Sequence, residues 1–183
     1  MKNKEFYVKL GKYIAYILRH GATQENVEID KEGWVSVEAL IAKAQEEGYN
    51  CNIEDVRHVV ETNNKKRFQF NEGETFIRAV QGHSSDAVNI SFAETVPPDV
   101  LFHGTATQFL ESIMSGGIKK MNRQYVHLSS NIDTAHSVGQ RHGKVIILKI
   151  DAARMHKEGV RFYLSENGVW LTEYIDSKYI LKA

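Results

Sequence analysis

The side chains best suited to chemistry in this sequence are histidines and arginines in or beside short β-prone runs. One histidine lies in residues 102–105 (Phe-His-Gly-Thr) and another in residues 123–129 (Arg-Gln-Tyr-Val-His-Leu-Ser). Small or hydroxyl residues follow, an arrangement that presents backbone amides and hydroxyls to a polar ligand at the end of a strand. Basic clusters also occur at residues 19–21 (Arg-His-Gly) and 65–68 (Lys-Lys-Arg-Phe). Because Arg forms paired hydrogen bonds with phosphate oxygens, this set predicts a site for phosphate groups.

The composition indicates an ordinary soluble globular protein, since 42% of its 183 residues are hydrophobic and 25% are charged. Lys and Arg together number 23, as do Asp and Glu, so any contact with nucleic acid must come from local clusters. The single cysteine, Cys51, excludes a disulfide within the chain. No His-Glu-x-x-His motif occurs, so we predict no metal site. Without an apolar signal core or a membrane-spanning run, we expect a cytoplasmic protein that has no membrane partner.

Three helices are predicted in the first part of the chain. Apolar residues at helical spacing over 6–18 predict the first helix, with Gly21 as its C-terminal cap. Ser36 is expected to cap a second helix at its N-terminus. Asn52, with Asp55 three residues on, is expected to open a third helix.

A β-hairpin is predicted next, from alternation at residues 68–70 and 76–80 around a turn near residues 71–73. Three helices followed by a hairpin is the order of a winged-helix domain. Both prolines of the chain lie together at residues 97 and 98, so the segment from about 84 to 99 is the natural link between domains.

Short strands and helices alternate beyond that link. Residues 145–150 give the strongest strand prediction, and we expect this strand to be central. Other strands are predicted at 100–103, 125–128, 169–172 and 179–181, with a helix at 108–114. This pattern predicts an α+β fold with a mostly antiparallel, split sheet.

Six motifs, in order over nearly the whole chain, resemble those of the RNA 2′-phosphotransferase family, called KptA in bacteria. They lie at residues 17–20, 66–68, 77–84, 102–105, 126–129 and 167–172. The resemblance implies a winged-helix RNA-binding lobe at residues 1–90 and an NAD-binding lobe of the ADP-ribosyltransferase fold at residues 91–183. One departure is Val80, where many relatives carry Asn; the following Gln-Gly-His-Ser is intact.

The resemblance also implies a reaction, in which NAD+ is consumed as a co-substrate and an internal RNA 2′-phosphate is removed. The phosphate attacks the anomeric carbon of NAD+ and gives a 2′-phospho-ADP-ribosylated RNA. A neighbouring ribose hydroxyl then attacks the phosphorus, which yields 2′-OH RNA, nicotinamide and ADP-ribose 1″,2″-cyclic phosphate. A phosphate monoester, with a second pKa of about 6, is largely dianionic near neutral pH and needs no general base. The family's known substrate type is the 2′-phosphorylated junction of tRNA splicing.

Site residues are likewise implied by the matched motifs. The catalytic set is Arg19, His20, Arg67 and Arg123. The NAD-binding set is His103, Gly104, Thr105, His127, Leu128, Ser129 and Val169, and the substrate-binding set is Lys66, Gln81, His83 and Ser84. We expect arginines 67 and 123 to grip the phosphate and His20 to carry a proton. Arg19 could stabilise the phosphorane or hold His20. No metal is implied, and we expect a monomer.

Several of these residues also have plainer interpretations. Arg19 and His20 could merely complement the C-terminus of a helix, and the basic run at 65–67 could be a solvated surface. Residues 139–143 (Gly-Gln-Arg-His-Gly) could cradle a pyrophosphate, although a turn is slightly favoured.

Two other functions also stay open. Many ADP-ribosyltransferases carry a Glu on the strand where this sequence has Val169. If Glu166 or Glu173 occupied that position, transfer of ADP-ribose to protein or to terminal phosphates of nucleic acid would become the better hypothesis. The other alternative is a non-catalytic RNA-binding adaptor, for which the four catalytic residues together would not be required.

Overall fold

The computed structural model describes residues 2–84 and 87–181 of the chain. The chain divides into two compact units, Met1–Ser91 and Phe92–Ala183, here called the N-terminal unit and the C-terminal unit. The boundary lies within the segment that carries the link in the sequence-based prediction. None of the described helices is long and apolar enough to cross a membrane.

Helices and antiparallel strands make up both units, which confirms the predicted α+β class at this level. The helices are α1 (Lys4–Tyr16), α2 (Val37–Glu46), α3 (Ile53–Glu61), α4 (Leu110–Gly116), α5 (Ile132–Gly139) and α6 (Ala152–Lys157). The strands are β1 (Val35–Ser36), β2 (Phe68–Phe70), β3 (Phe76–Ala79), β4 (Ala93–Glu94), β5 (Val100–Ala106), β6 (Ile118–Lys119), β7 (Val126–Leu128), β8 (Val145–Asp151), β9 (Tyr163–Leu164), β10 (Trp170–Thr172), β11 (Tyr174–Ile175) and β12 (Ile180–Leu181). Every pairing among these strands is antiparallel.

The N-terminal unit packs α1, α2 and α3 with a three-stranded sheet of order β1-β3-β2. Two predicted helix caps are confirmed. Ser36 Oγ accepts a hydrogen bond from the amide of Ala39, and Asn52 forms a reciprocal capping box with Asp55. The predicted hairpin is confirmed as β2 and β3, with Phe68 opposite Ala79 and Phe70 opposite Ile77.

The end of the first helix differs from the prediction. The chain does not stop at a cap on Gly21 but continues through a π-helical turn, Ile17–Gly21, closed by a 3.1 Å hydrogen bond from the amide of Ala22 to the carbonyl of Ile17. Glycine leaves room there for a neighbouring ring. Its backbone lies against the Tyr16 ring, where a Cβ atom would come within 2.5 Å of ring carbons. The prediction of Gly21 as a helix cap was therefore wrong.

The C-terminal unit is built around β8, which lies between β5 and β12 as predicted for a central strand. β5 is longer than predicted, because its pairing with β8 runs from Val100 opposite Asp151 to Ala106 opposite Val145. A second sheet has the order β4-β9-β10-β7, and a two-stranded sheet pairs β11 with β6. Buried side chains of both larger sheets, with those of α4 and α6, form one apolar core.

One isolated bridge joins the two larger sheets of this unit. The amide of Phe102 donates to the carbonyl of Ser129 at 2.8 Å, and the amide of Ser129 donates to the carbonyl of Phe102 at 2.9 Å. Strand β7 thus pairs with β10 along its length and meets β5 only just past its end. This seam brings the two strand-end histidine motifs together.

Candidate functional site

In the N-terminal unit, the π-helical turn carries Arg19 and His20. Arg19 is half-buried and His20 is exposed. A π-turn contains one more residue than the α-turn that it replaces, and such insertions are frequent at functional sites. The turn presents both side chains at the end of α1.

Residues 81–84, which follow β3, cross beside this turn. The amide of Ser84 donates to the carbonyl of Arg19 at 3.0 Å, and Ser84 Oγ lies 2.8 Å from Nδ1 of His20. Gly82 has a φ of 90°, and a Cβ atom there would lie 3.5 Å from Cζ and Nε of the Arg19 guanidinium. The structure therefore brings three predicted site residues, Arg19, His20 and Ser84, into one cluster.

Gln81 and His83 of the same segment are buried, and only 2% of His83 is exposed. Burial, followed by the nearby charges of Arg19 and His20, lowers the pKa of His83 to about 4. The ring is thus neutral near neutral pH. It packs against the backbone of Gly33, where a Cβ atom would lie 3.0 Å from Nε2. Direct contact of these two side chains with substrate stays a prediction.

Arg67 lies at the start of the hairpin and is held by the loop after α3. Its amide donates to Oδ1 of Asn63 at 3.2 Å, and its Nη1 approaches the same oxygen at 3.5 Å. The amide of Val80 donates to the carbonyl of Arg67 at 3.0 Å, one residue before the segment 81–84. Lys66 is exposed and has a φ of 42°. Arg67 is therefore linked through the backbone to the cluster around Arg19.

In the C-terminal unit, His103 and His127 meet at the seam between β5 and β7. Nδ1 of His103 donates to the backbone carbonyl of His127 at 3.1 Å, since a carbonyl can only accept. Burial is the main cause that lowers the pKa of His103. His103 is thus neutral near neutral pH, and Nε2 is its acceptor nitrogen.

Arg123 completes this group. Its Nη1 donates to Nδ1 of His127 at 2.9 Å, and because Arg has no acceptor, that nitrogen must be unprotonated. The spacing of four residues places the guanidinium before strand β7 and back against the ring. Arg123, His127 and His103 therefore form one connected group.

Gly104 and Thr105, which are predicted to contact NAD+, also have roles in the packing of the unit. Helix α5 packs so closely on β5 that a Cβ atom on Gly104 would overlap the carbonyl oxygen of Ala135. Thr105 is buried, with 6% of its surface exposed. The close backbone approach at Gly104 is thus made to a helix. Contact of either residue with NAD+ stays a prediction.

The next predicted residues, Leu128 and Ser129, are also used internally. Leu128 is buried in the core of the unit. Ser129 Oγ accepts from the amide of Asn131 at 3.0 Å and lies 2.9 Å from the carbonyl of the same residue. This turn leads into α5, whose N-cap is Asn131.

Val169 lies at the end of the loop that connects β9 to β10. Its amide donates to Ser165 Oγ at 3.0 Å, and its carbonyl accepts from the amide of Ser165 at the same distance. Glu166 is exposed in this loop, and Glu173 is exposed between β10 and β11. Val169, one residue before β10, lies outside the described strands just as both glutamates do, so transfer of ADP-ribose to other acceptors stays an open alternative.

Residues 139–143 form a turn, as slightly favoured from the sequence. Gln140–His142 is a short 3-10 helix, and Nε2 of Gln108 donates to the carbonyl of His142 at 3.2 Å. Gly139 is needed for packing, because a Cβ atom there would lie 2.9 Å from the carbonyl oxygen of Thr105. Across residues 2–84 and 87–181, no group of His, Cys, Asp or Glu is arranged to hold a metal ion.

Sequence reasoning missed the residues that support the site. Asn63 holds Arg67, Gly33 accommodates the ring of His83, and Ala135 packs on Gly104. A sequence signal existed for Ala135, because Ala135 and Gly139 are small residues four positions apart and so lie on one face of α5. No sequence pattern singles out Asn63.

The sequence of this chain is similar to those of a known protein family. Residues 5–174 match the family model described as "RNA 2'-phosphotransferase, Tpt1 / KptA family". The chain belongs to this family. The resemblance seen in the six sequence motifs is confirmed.

Curated relatives agree with the family model. A probable RNA 2′-phosphotransferase of Fusobacterium nucleatum is 53% identical over 174 residues, which cover 94% of this chain and 97% of the relative. Relatives of the same description occur in Pseudomonas fluorescens, with 46% identity over 97% of this chain and 98% of the relative, and in Flavobacterium johnsoniae, with 44% identity over 97% of both. The chain is therefore an enzyme of the RNA 2′-phosphotransferase family, and RNA is the substrate class that the family implies.

Proposed function

We propose that this protein removes an internal 2′-phosphate from RNA with NAD+ as co-substrate, through an ADP-ribosylated phosphate intermediate. The observation that supports the proposal most is the hydrogen bond from Arg123 to His127. It connects a residue expected to bind the phosphate with a residue expected to bind NAD+. A reaction that joins a phosphate to NAD+ needs these two functions side by side.

The residues of the C-terminal unit fit a dinucleotide. The neutral ring of His103 offers an acceptor nitrogen at Nε2, and Arg123 offers a guanidinium for anionic oxygens. A neutral histidine is suited to hydrogen-bonding ribose hydroxyls without repelling the cationic nicotinamide ring. We propose that this unit is the NAD-binding lobe, with an ADP-ribosyltransferase-like fold, and that the N-terminal unit is a winged-helix RNA-binding lobe.

In the proposed first step, an oxygen of the RNA 2′-phosphate forms a bond to the anomeric carbon of NAD+. The bond from that carbon to nicotinamide breaks, and nicotinamide leaves with the electron pair. The dianionic phosphate supplies the nucleophile without a general base. Arginines 67 and 123 position the phosphate, since transfer reactions of this kind depend mainly on placement and on neutralisation of oxygen charge.

In the proposed second step, the 2″-hydroxyl oxygen of the ADP-ribose attacks phosphorus, and the bond from phosphorus to the RNA 2′-oxygen breaks. The proton of the 2″-hydroxyl passes to the departing RNA oxygen. His20 is suited to carry it, because imidazole titrates close to working pH. Arg19, half-buried beside His20, stabilises the charge that develops on the phosphorus oxygens.

The direct test is to incubate the purified chain with a short RNA that carries one internal 2′-phosphate, with and without NAD+. We expect NAD+-dependent loss of the 2′-phosphate, release of nicotinamide and formation of ADP-ribose 1″,2″-cyclic phosphate. Nicotinamide release with RNA that keeps an ADP-ribosylated phosphate would contradict the assigned second step. No nicotinamide release would overturn the proposal, and an unchanged Tm on addition of NAD+ would then favour the adaptor.

Arg67→Ala and Arg161→Ala form a matched pair for this test. Arg67 lies in the proposed phosphate site, whereas Arg161 is an exposed arginine between α6 and β9. Loss of one charge-assisted contact of about 1.5–3 kcal/mol predicts a fall in kcat/KM of roughly tenfold to a hundredfold for Arg67→Ala. Arg161→Ala should retain the rate of the natural chain.

A further inference from the structure

The side chain of Ser84 contacts the ring of His20, and its predicted role in substrate binding does not explain this contact. Its Oγ lies 2.8 Å from Nδ1 of His20, across 64 positions of the sequence. A contact of that length is a full hydrogen bond. It engages one of the two ring nitrogens, and which nitrogen of a histidine carries the proton is set by the hydrogen bond made at the other.

The backbone around Ser84 is fixed independently of this contact. The amide of Ser84 donates to the carbonyl of Arg19 at 3.0 Å, so the serine is tied to the π-turn that carries His20. Two residues earlier, the φ of 90° at Gly82 turns the chain alongside the Arg19 guanidinium. The serine hydroxyl is therefore presented to the ring by a segment that is hydrogen-bonded to the same turn.

A buried anchor holds the same segment from the other side. His83 is 2% exposed and packs against the backbone of Gly33. Because burial lowers its pKa to about 4, its ring adds no positive charge beside Arg19 near neutral pH. The side chain of His83 is buried, whereas that of Ser84 is exposed and contacts His20. His83 therefore anchors the segment, and Ser84 is available to interact with the histidine ring.

We propose that Ser84 is a positioning residue, whose hydroxyl accepts the Nδ1–H of His20 and makes Nε2 the nitrogen that moves the proton in the second step. This inference rests on the proposed function. The 2″-hydroxyl oxygen bonds to phosphorus as its proton passes to Nε2, and Nε2 returns that proton to the RNA 2′-oxygen as its bond to phosphorus breaks. The imidazole is regenerated, and no other reactant is required.

A spectroscopic measurement tests the positioning without any turnover. In ¹⁵N-labelled full-length protein, the two ring nitrogens of His20 should show the shift pattern of a single Nδ1–H form above its pKa. Ser84→Ala should replace that pattern with the averaged shifts of both tautomers, and Ser84→Thr, which keeps the hydroxyl, should restore it. Ser115→Ala, at an exposed serine of α4, is the matched control. Unchanged His20 shifts in Ser84→Ala would overturn the proposal.

Single-turnover kinetics with 2′-phosphorylated RNA and NAD+ separates positioning from substrate binding. For Ser84→Ala we expect the rate of the second step to fall at least tenfold relative to nicotinamide release, so that ADP-ribosylated RNA accumulates. The double variant His20→Ala/Ser84→Ala should be no slower than His20→Ala, because the serine acts through the histidine.

Two kinetic outcomes would overturn the inference. One is a rise in the KM for RNA with both steps slowed equally, which would make Ser84 a phosphate-binding residue. The other is a further loss in the double variant beyond His20→Ala. Failure of the proposed function itself is recognised separately, since the unaltered protein would then release no nicotinamide while the His20 shifts would still report on Ser84.

Discussion

Individual side chains at the site differ in whether they change charge near neutral pH. Arg123 stays cationic and donates to His127, whereas burial keeps His103 neutral and its hydrogen bond to a carbonyl fixes the orientation of the ring. Burial, with the nearby charge of Arg19, keeps His83 neutral. Near neutral pH the permanent charge therefore comes from arginine, and the rings of these two histidines serve as oriented neutral groups.

Arg123→Lys tests whether the guanidinium fork matters beyond its charge. Lysine keeps the positive charge but cannot bridge His127 and a phosphate with fixed donors. We expect nicotinamide release to slow by about tenfold or more, as for the loss of a charged hydrogen bond of roughly 1.5–3 kcal/mol. A variant as fast as the natural chain would show that charge alone suffices there.

The buried ring of His83 predicts a pH dependence of stability. Its pKa in the folded chain is about 4, against 6.5 for an unperturbed histidine, so between these values the unfolded chain binds a proton that the folded chain does not. The free energy of unfolding should therefore fall as the pH decreases from 6.5 towards 4, by up to about 3 kcal/mol.

Denaturant unfolding at several pH values can measure this effect in the N-terminal unit. In a Trp170→Phe background, fluorescence comes from Trp34 alone, which lies in that unit. His83→Asn should flatten the dependence in this pH range, even if it lowers stability overall. An equally steep dependence in the variant would assign the effect to other groups.

At the scale of elements, close contacts between backbones decide which residues are tolerated. Helix α5 lies on β5 with Gly104 beneath Ala135, and Gly139 lies against the backbone of Thr105. Backbone atoms cannot move aside as a flexible side chain can. The positions of β5 and α5, and hence of His103, depend on these glycines.

Gly104→Ala is expected to destabilise the C-terminal unit strongly. The added methyl would overlap a backbone carbonyl, so the cost should reach at least about 3 kcal/mol, the upper part of the usual range for overpacking. This corresponds to a fall in Tm of roughly 6 °C or more. Gly116→Ala, where the nearest atom is 3.9 Å away in a flexible Lys119 side chain, should have little effect. Equal Tm values would contradict the packing argument.

The sequence predicted those elements whose signals are local. Two helix starts were predicted from side chains that accept hydrogen bonds from nearby amides, at Ser36 and at the pair Asn52 and Asp55. The structure confirms both. The apolar run at 145–150 identified a strand through its own residue types. The sequence signal of each of these elements lies within the element, although the hydrogen bonds of β8 run to β5 and β12.

Features that depend on distant residues were not predictable in the same way. The π-turn inserts one residue, which leaves no compositional signal, so Gly21 was misread as a cap. The site residues came from family motifs, and only the structure reveals that Ser84 reaches His20 or that Arg123 reaches His127. Such contacts arise from packing, which periodicity does not encode.

At the scale of the whole molecule, balanced charge means that RNA is not attracted by a general positive field. Lys and Arg total 23 and Asp and Glu total 23. Electrostatic attraction must then come from local groups such as the exposed Lys66 beside the half-buried Arg67. The affinity for RNA should therefore have a shallow dependence on salt concentration, as expected for a few phosphate contacts.

Lys66→Gln measures one of these contacts. If the lysine pairs with a phosphate of single-stranded RNA, its loss should reduce the slope of log K against log salt by about 0.7. Lys157→Gln, at an exposed lysine of α6, serves as the control and should leave the slope unchanged. An unchanged slope for Lys66→Gln would remove that residue from the RNA surface.

The isolated bridge between Phe102 and Ser129 has a consequence for hydrogen exchange. Its two reciprocal bonds join larger sheets at the point where His103 and His127 meet, so opening there breaks far fewer bonds than unfolding a sheet. The amide protons of Phe102 and Ser129 should accordingly exchange sooner than those within the β5–β8 ladder. A ligand bound by both histidines would hold the two sheets together at this bridge. Its binding could therefore be detected as slower exchange at these two amides.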